Sequence, residues 1–76
     1  MQVLDYEQKG RNHYVTVGFD DVEKKAFLHI DQGKHPVQVS GASITTETPV
    51  GEQRALISRA TVWLLKEIHE KRIALW

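Results

Sequence analysis

Cysteine is absent from this chain. That removes any disulfide framework and any thiolate chemistry, so the fold must be held by packing alone, and a reducing compartment, the cytoplasm, is the expected setting. Long apolar runs are missing too. The longest is four residues, as in Val62 to Leu65, against the roughly 18 or more that would suggest a membrane span. The opening Met1-Gln2-Val3-Leu4-Asp5 has neither a basic start nor an apolar stretch behind it, so a signal peptide is not expected. Nor is there an excess of one charge: ten basic and ten acidic residues cancel, and nothing in the balance calls for a nucleic acid, an anionic membrane or an acidic substrate. The two parts differ slightly. Residues 1–48 hold five basic and seven acidic side chains, and residues 49–76 five and three, an asymmetry that a solvated helix surface with a basic C-terminal end explains.

What is present is enough for one small domain over residues 1–76. Seventy-six residues lie near the size at which one core is only marginally sufficient, which favours self-association. The chain shows no linker, low-complexity tract or repeat. Val15, Val17 and Phe19 alternate with Tyr14, Thr16 and Gly18, and Ala26, Leu28 and Ile30 with Phe27 and His29, the period of two of half-buried strands. Asp20 to Lys25 reads as the connecting turn. Asp31-Gln32-Gly33-Lys34 reads as the next, with Gly33 suited to a positive φ, and Pro36 opens a further stretch in which Val37 and Val39 share a side. Val3 to Glu7 is a fourth strand, separated from Tyr14 by the hairpin-like Lys9-Gly10-Arg11-Asn12.

From Thr48 the spacing changes to that of a helix. Thr48 before Pro49 reads as an N-cap with proline in the first helical position, Glu52 suits the first turn, and Glu67 with Lys71 makes a supporting pair four residues apart. Nothing in the pattern stops the helix before the chain ends. Leu56, Ile57, Ala60, Trp63, Leu64, Ile68 and Leu75 form one broad stripe; Val62, Leu65, Ile73 and Trp76 fall roughly opposite, with Ala55 beside them and Arg59, Lys66 and His69 interleaved. The fold expected is α+β: an antiparallel meander of three to four strands with one long C-terminal helix on one face, ββββα. Val15, Val17, Phe19, Ala26, Leu28, Ile30, Val37 and Val39 would face the helix. Tyr14, Thr16, Phe27, His29 and Gln38 would lie on the uncovered side.

The chemistry-bearing residues do not assemble into a motif. His13, His29, His35 and His69 lack ligand spacing, and no cysteine accompanies them. Ser40, Ser43 and Ser58 sit in no nucleophile elbow, Asp20-Asp21-Val22-Glu23 reads as a solvated turn, and Gly33 and Gly41 belong to no phosphate-binding loop. Five hydroxyl residues between Ser40 and Thr48 make a polar strand or a run into the helix cap. No cofactor, metal or small-molecule substrate is indicated, and His29 with Asp31 is the only pair that could be nominated for catalysis.

The leading expectation is therefore a non-enzymatic binding module, an adaptor, inhibitor or regulatory accessory protein, contacting a protein partner or itself as a homodimer. Its interface would be the second helix stripe: Val62, Leu65, Ile73 and Trp76 with Arg59 and His69. The alternative is a nucleic-acid-binding protein in which Tyr14, Phe27 and His29 stack on bases while Lys9, Arg11 and Lys34 meet phosphates.

Overall fold

The computed structural model describes residues 1–33, 36–45 and 47–74. Alternation of period two carries the chain through three strands, β1 (Gln2–Lys9), β2 (Asn12–Gly18) and β3 (Lys25–Asp31), and a fourth, β4 (Val39–Ile44), precedes the helix α1 (Val50–His69). The sheet is an antiparallel meander in the order β1-β2-β3-β4, as the short connections require. Gly10, at φ +61°, is the first of the two residues between Lys9 and its partner Asn12; glycine there is the signature of a type II′ hairpin turn.

The expected helix-facing set is largely the core. Val15, Val17, Phe19, Ala26, Leu28 and Ile30 are buried with Leu56, Ala60 and Leu64 of α1, while Trp63 and Ile68 pack at its margin. α1 lies over β3 and β4. Its N-terminal half is tied to the β2–β3 connection by Lys24–Glu52 (2.8 Å) and Arg59–Asp21 (3.4 Å), and the Arg59 guanidinium carbon stands 5.6 Å from the Phe19 ring centroid.

Five expectations about local structure are corrected. The fourth strand is Val39–Ile44 rather than a stretch opened by Pro36: Val37 packs on the core from the preceding loop, Gln38 is exposed ahead of the strand, and Ile44 is a core residue. Its bounds are not marked in the sequence because serine, glycine and alanine side chains are too small to show an alternation. Gly33 does not need a positive φ; an Asx turn, in which its N–H donates to Asp31 Oδ1 at 2.9 Å, turns the chain instead.

At the helix start, the N-cap is Pro49 rather than Thr48. Thr48 is buried, its hydroxyl 3.3 Å from that of Thr45 and its carbonyl accepting from Gln53 Nε2 at 2.6 Å. At the other end α1 stops at His69. Lys71 takes φ +61°, its N–H donates to Ile68 O at 3.1 Å, and that of Arg72 to Glu67 O at 2.9 Å, which is a Schellman cap built without glycine. Lys71 is thereby turned out of the helix, and Glu67 pairs with Arg72 at 3.2 Å in place of the expected Lys71.

Candidate binding surface on the open sheet face

The helix covers one side of the sheet only. On the other, cross-strand pairing sets residues in rows: Glu7, Tyr14, His29 and Gly41 in one, Asp5, Thr16, Phe27 and Ser43 in the next, and Lys9, Asn12 and Asp31 at the end. Opposed residues of an antiparallel sheet share a face, so Tyr14 and His29 meet, their rings stacked at 4.9 Å and 10° apart in plane. Small side chains on β4 beside large ones on β2 and β3 leave a shallow hollow of about 450 Å³, bordered by Glu7, Lys9, Tyr14, Phe27, His29 and Ser43. Gly41 forms part of its floor. A Cβ there would stand 3.8 Å from the His29 side chain, an ordinary contact, so the hollow can be filled by substitution without straining the backbone.

His29 is held on three sides. Its Nε2 is 2.8 Å from Asn12 Oδ1, and Ser40 Oγ lies 3.1 Å from both its Nδ1 and its carbonyl oxygen. Ser40 reaches it because the β3–β4 register shifts between His29 and Ile30, a bulge that re-aims one side chain of the strand. The Ser40 hydroxyl donates to the His29 carbonyl oxygen, which sets its oxygen beside Nδ1, while Asn12 Oδ1 faces Nε2. The imidazole is thus fixed as a flat partner for Tyr14. Asp31, nominated with it from the sequence, is engaged elsewhere: it accepts from Gly33 and stands 3.9 Å from the Arg11 guanidinium.

Tyr14, Phe27 and Leu4 are each about two-fifths exposed on this face. Leu4 arrives there through a second bulge, between Val3 and Asp5, and lies over Gly18, whose missing side chain makes room for it. The charges are mixed. Asp5, Glu7 and Asp31 share the face with Lys9 and Lys25, Lys9 is 3.5 Å from Glu7, and Arg11 is turned towards Asp31 and over Gly33. Of the residues expected to meet a nucleic acid, Tyr14, Phe27, His29 and Lys9 are therefore brought together, Arg11 stands at the edge, and Lys34 lies outside the described residues.

The helix stripe expected to form the interface is dispersed. Val62 is exposed, whereas Leu65 is half-buried with Pro36, Val37, Ile68 and His69 around a separate hollow. Ile73 packs on the core after the helix has ended, because the Schellman turn carries it back towards the sheet. Arg59 is occupied by Asp21 and Phe19, His69 is exposed, and Leu75 and Trp76 lie outside the described residues.

One buried polar residue went unassigned in the sequence although its parity was legible. His13 shares the helix-side face with Val15 and Val17 and is fully buried. Its Nδ1 is 2.5 Å from the Tyr6 hydroxyl and its Nε2 3.2 Å from Gln32 Oε1, so both ring nitrogens are satisfied inside the fold. His13 and His29 point to opposite faces of the sheet, and among the described residues no three His, Asp or Glu side chains are placed to hold a metal ion. No helix of the described residues is long and apolar enough to cross a membrane. No protein-family model, curated protein or solved structure matches the chain.

Proposed function

We propose that this chain is a small non-enzymatic binding module that holds a protein partner on the open face of its sheet. The observation that carries this reading is the placement of Leu4, Tyr14 and Phe27, each partly exposed, beside a hollow whose floor is made of small residues. Apolar and aromatic side chains around a depression are the usual anchor of a protein interface. The near balance of carboxylates and lysines on this face suits a protein surface better than a polyphosphate, which would meet Asp5, Glu7 and Asp31 as well as Lys9. An adaptor, inhibitor or regulatory accessory protein of the cytoplasm has the size and chemistry described.

The test is a photo-crosslinking amino acid at position 27 and, separately, at position 62 on the exposed helix face. The expected result is a discrete adduct with a partner from position 27 and none from position 62. The reverse pattern would move the interface to the helix and overturn the proposal. A second reading has one specific observation in its favour, the Tyr14–His29 stack with Phe27 diagonal to it and Lys9 at the border, a platform on which unpaired bases could stack. It predicts salt-sensitive binding of mixed single-stranded oligonucleotides that Phe27→Ala weakens by about tenfold, in line with the stacking free energy of one base; a flat fluorescence titration at low salt removes it.

A further inference from the structure

The two edges of the sheet are built differently. β1 is guarded: it carries Asp5, Glu7 and Lys9 and is broken by a bulge after Val3, devices that discourage strand addition. β4 is the other edge, and its sequence Val39-Ser40-Gly41-Ala42-Ser43-Ile44 contains no charge and no proline. Its bulge lies at the start, so Gly41 to Ile44 keep a regular register against β3. Ala42 lies opposite the buried Leu28 on the helix side, yet is itself exposed. The helix leaves Ala42, at the middle of this margin, uncovered, while Ile44 at the end of the strand is buried.

The flank of α1 above that margin is also unfinished. Leu65 and Ile68 border the hollow with Pro36 and Val37, the loop that leads into β4. Thr61 lies on the same flank, four residues before Leu65. All three are half-buried and uncharged. The opposite flank is closed by Glu52 and Arg59 against Lys24 and Asp21.

We propose that β4 pairs antiparallel with β4 of a second copy of this chain about a two-fold axis at Ala42, joining two four-stranded sheets into one of eight strands. This goes beyond the open-face reading, since it uses a different surface. Side-chain alternation restricts the register: opposed residues must share a face, which a centre at Ala42 meets by setting Gly41 against the partner's Ser43 on the open side. Spacing selects the occupant. With strands about 4.8 Å apart and α1 above β3 and β4, the two helices would run antiparallel with axes about 10 Å apart, the upper end of ordinary helix packing at roughly 8–10 Å. An added peptide strand would satisfy the edge but bring nothing to cover Ala42, Thr61 and Leu65. A second copy brings a strand and a helix together, and only small side chains meet at the axis.

The test is the mass in solution by size-exclusion chromatography with light scattering, across a dilution series. The wild-type chain is expected at about twice its 8.7 kDa. Ala42→Lys and Ala42→Glu each place like charges against each other at the axis and are expected to be monomers, with circular dichroism unchanged because position 42 is exposed. An equimolar mixture of the two should recover the dimer mass, which a merely unfolded variant would not do. A monomeric wild type, or a dimer that persists in both variants, overturns the proposal. The open-face reading fails separately: loss of the position 27 adduct with the dimer mass intact would count against it alone.

Discussion

At the residue scale, Lys71 and the two histidines of β2 and β3 show how much one position can carry. Lys71 holds the left-handed conformation that closes the helix, a geometry that costs a non-glycine residue about 1–2 kcal/mol. Lys71→Gly should therefore stabilise the chain by about 1 kcal/mol and raise the melting temperature by about 5 °C; a fall in melting temperature would mean that the lysine contributes contacts worth more than the strain. His13 and His29 make a controlled comparison, since each has both ring nitrogens engaged but only His13 is fully buried. His13→Ala should cost about 2–4 kcal/mol, combining a cavity with lost hydrogen bonds. His29→Ala should cost about 1 kcal/mol, because water can replace its partners. Chemical denaturation of the two variants checks the ordering, and equal losses would show that burial is not what separates them.

At the scale of elements, the helix is held by its packed face and its C-terminal cap rather than by its N-terminal end. Its N-cap is a proline without a side-chain bond, and Gly51 occupies its first turn. Nothing lies within 4 Å of a Cβ added at Gly51 and its φ is not positive, so Gly51→Ala should stabilise by about 0.5–1 kcal/mol, read as a shifted denaturation midpoint with an unchanged slope. A contrast between face and ends decides what could be read in the sequence. Alternating large residues made β2 and β3 legible, and the spacing of Leu56, Ala60 and Leu64 made the buried helix face legible, because both are set by simple periods. β4 was legible as a strand beyond Pro36 but not in its bounds, since Gly41, Ala42 and Ser43 carry too little hydrophobic contrast to mark a face. The helix end was illegible for a related reason: the apolar spacing runs on past His69, and no glycine announces the cap at Lys71. The open-face group of Tyr14, Phe27 and His29 followed directly from alternation. Leu4 and Ser40 did not, because each reaches its place through a bulge, which depends on the register between strands and not on the pattern within one.

At the scale of the whole molecule, two unfinished surfaces lie on a body with little stability to spare. A chain of 76 residues has a folding free energy of roughly 4–11 kcal/mol, so an interface that shields Leu65 and Ala42 would be a substantial fraction of the total. If β4 joins two copies, stability is tied to concentration, because dilution favours the dissociated and unfolded chains. With an unfolding entropy of about 2.1 cal/mol/K per residue, a tenfold rise in concentration should raise the melting temperature of the dimer by about 5 °C, while Ala42→Lys should melt at one temperature at all concentrations. Removing buried packing sharpens the contrast. Leu64→Ala, in the seam between helix and sheet, should cost about 3 kcal/mol and leave a chain that is folded mainly when concentrated; combined with Ala42→Lys it should be largely unfolded throughout. Thermal melts of the four proteins over two decades of concentration decide the matter. Parallel, concentration-independent melts would make each chain a self-sufficient fold and leave the β4 edge open to water.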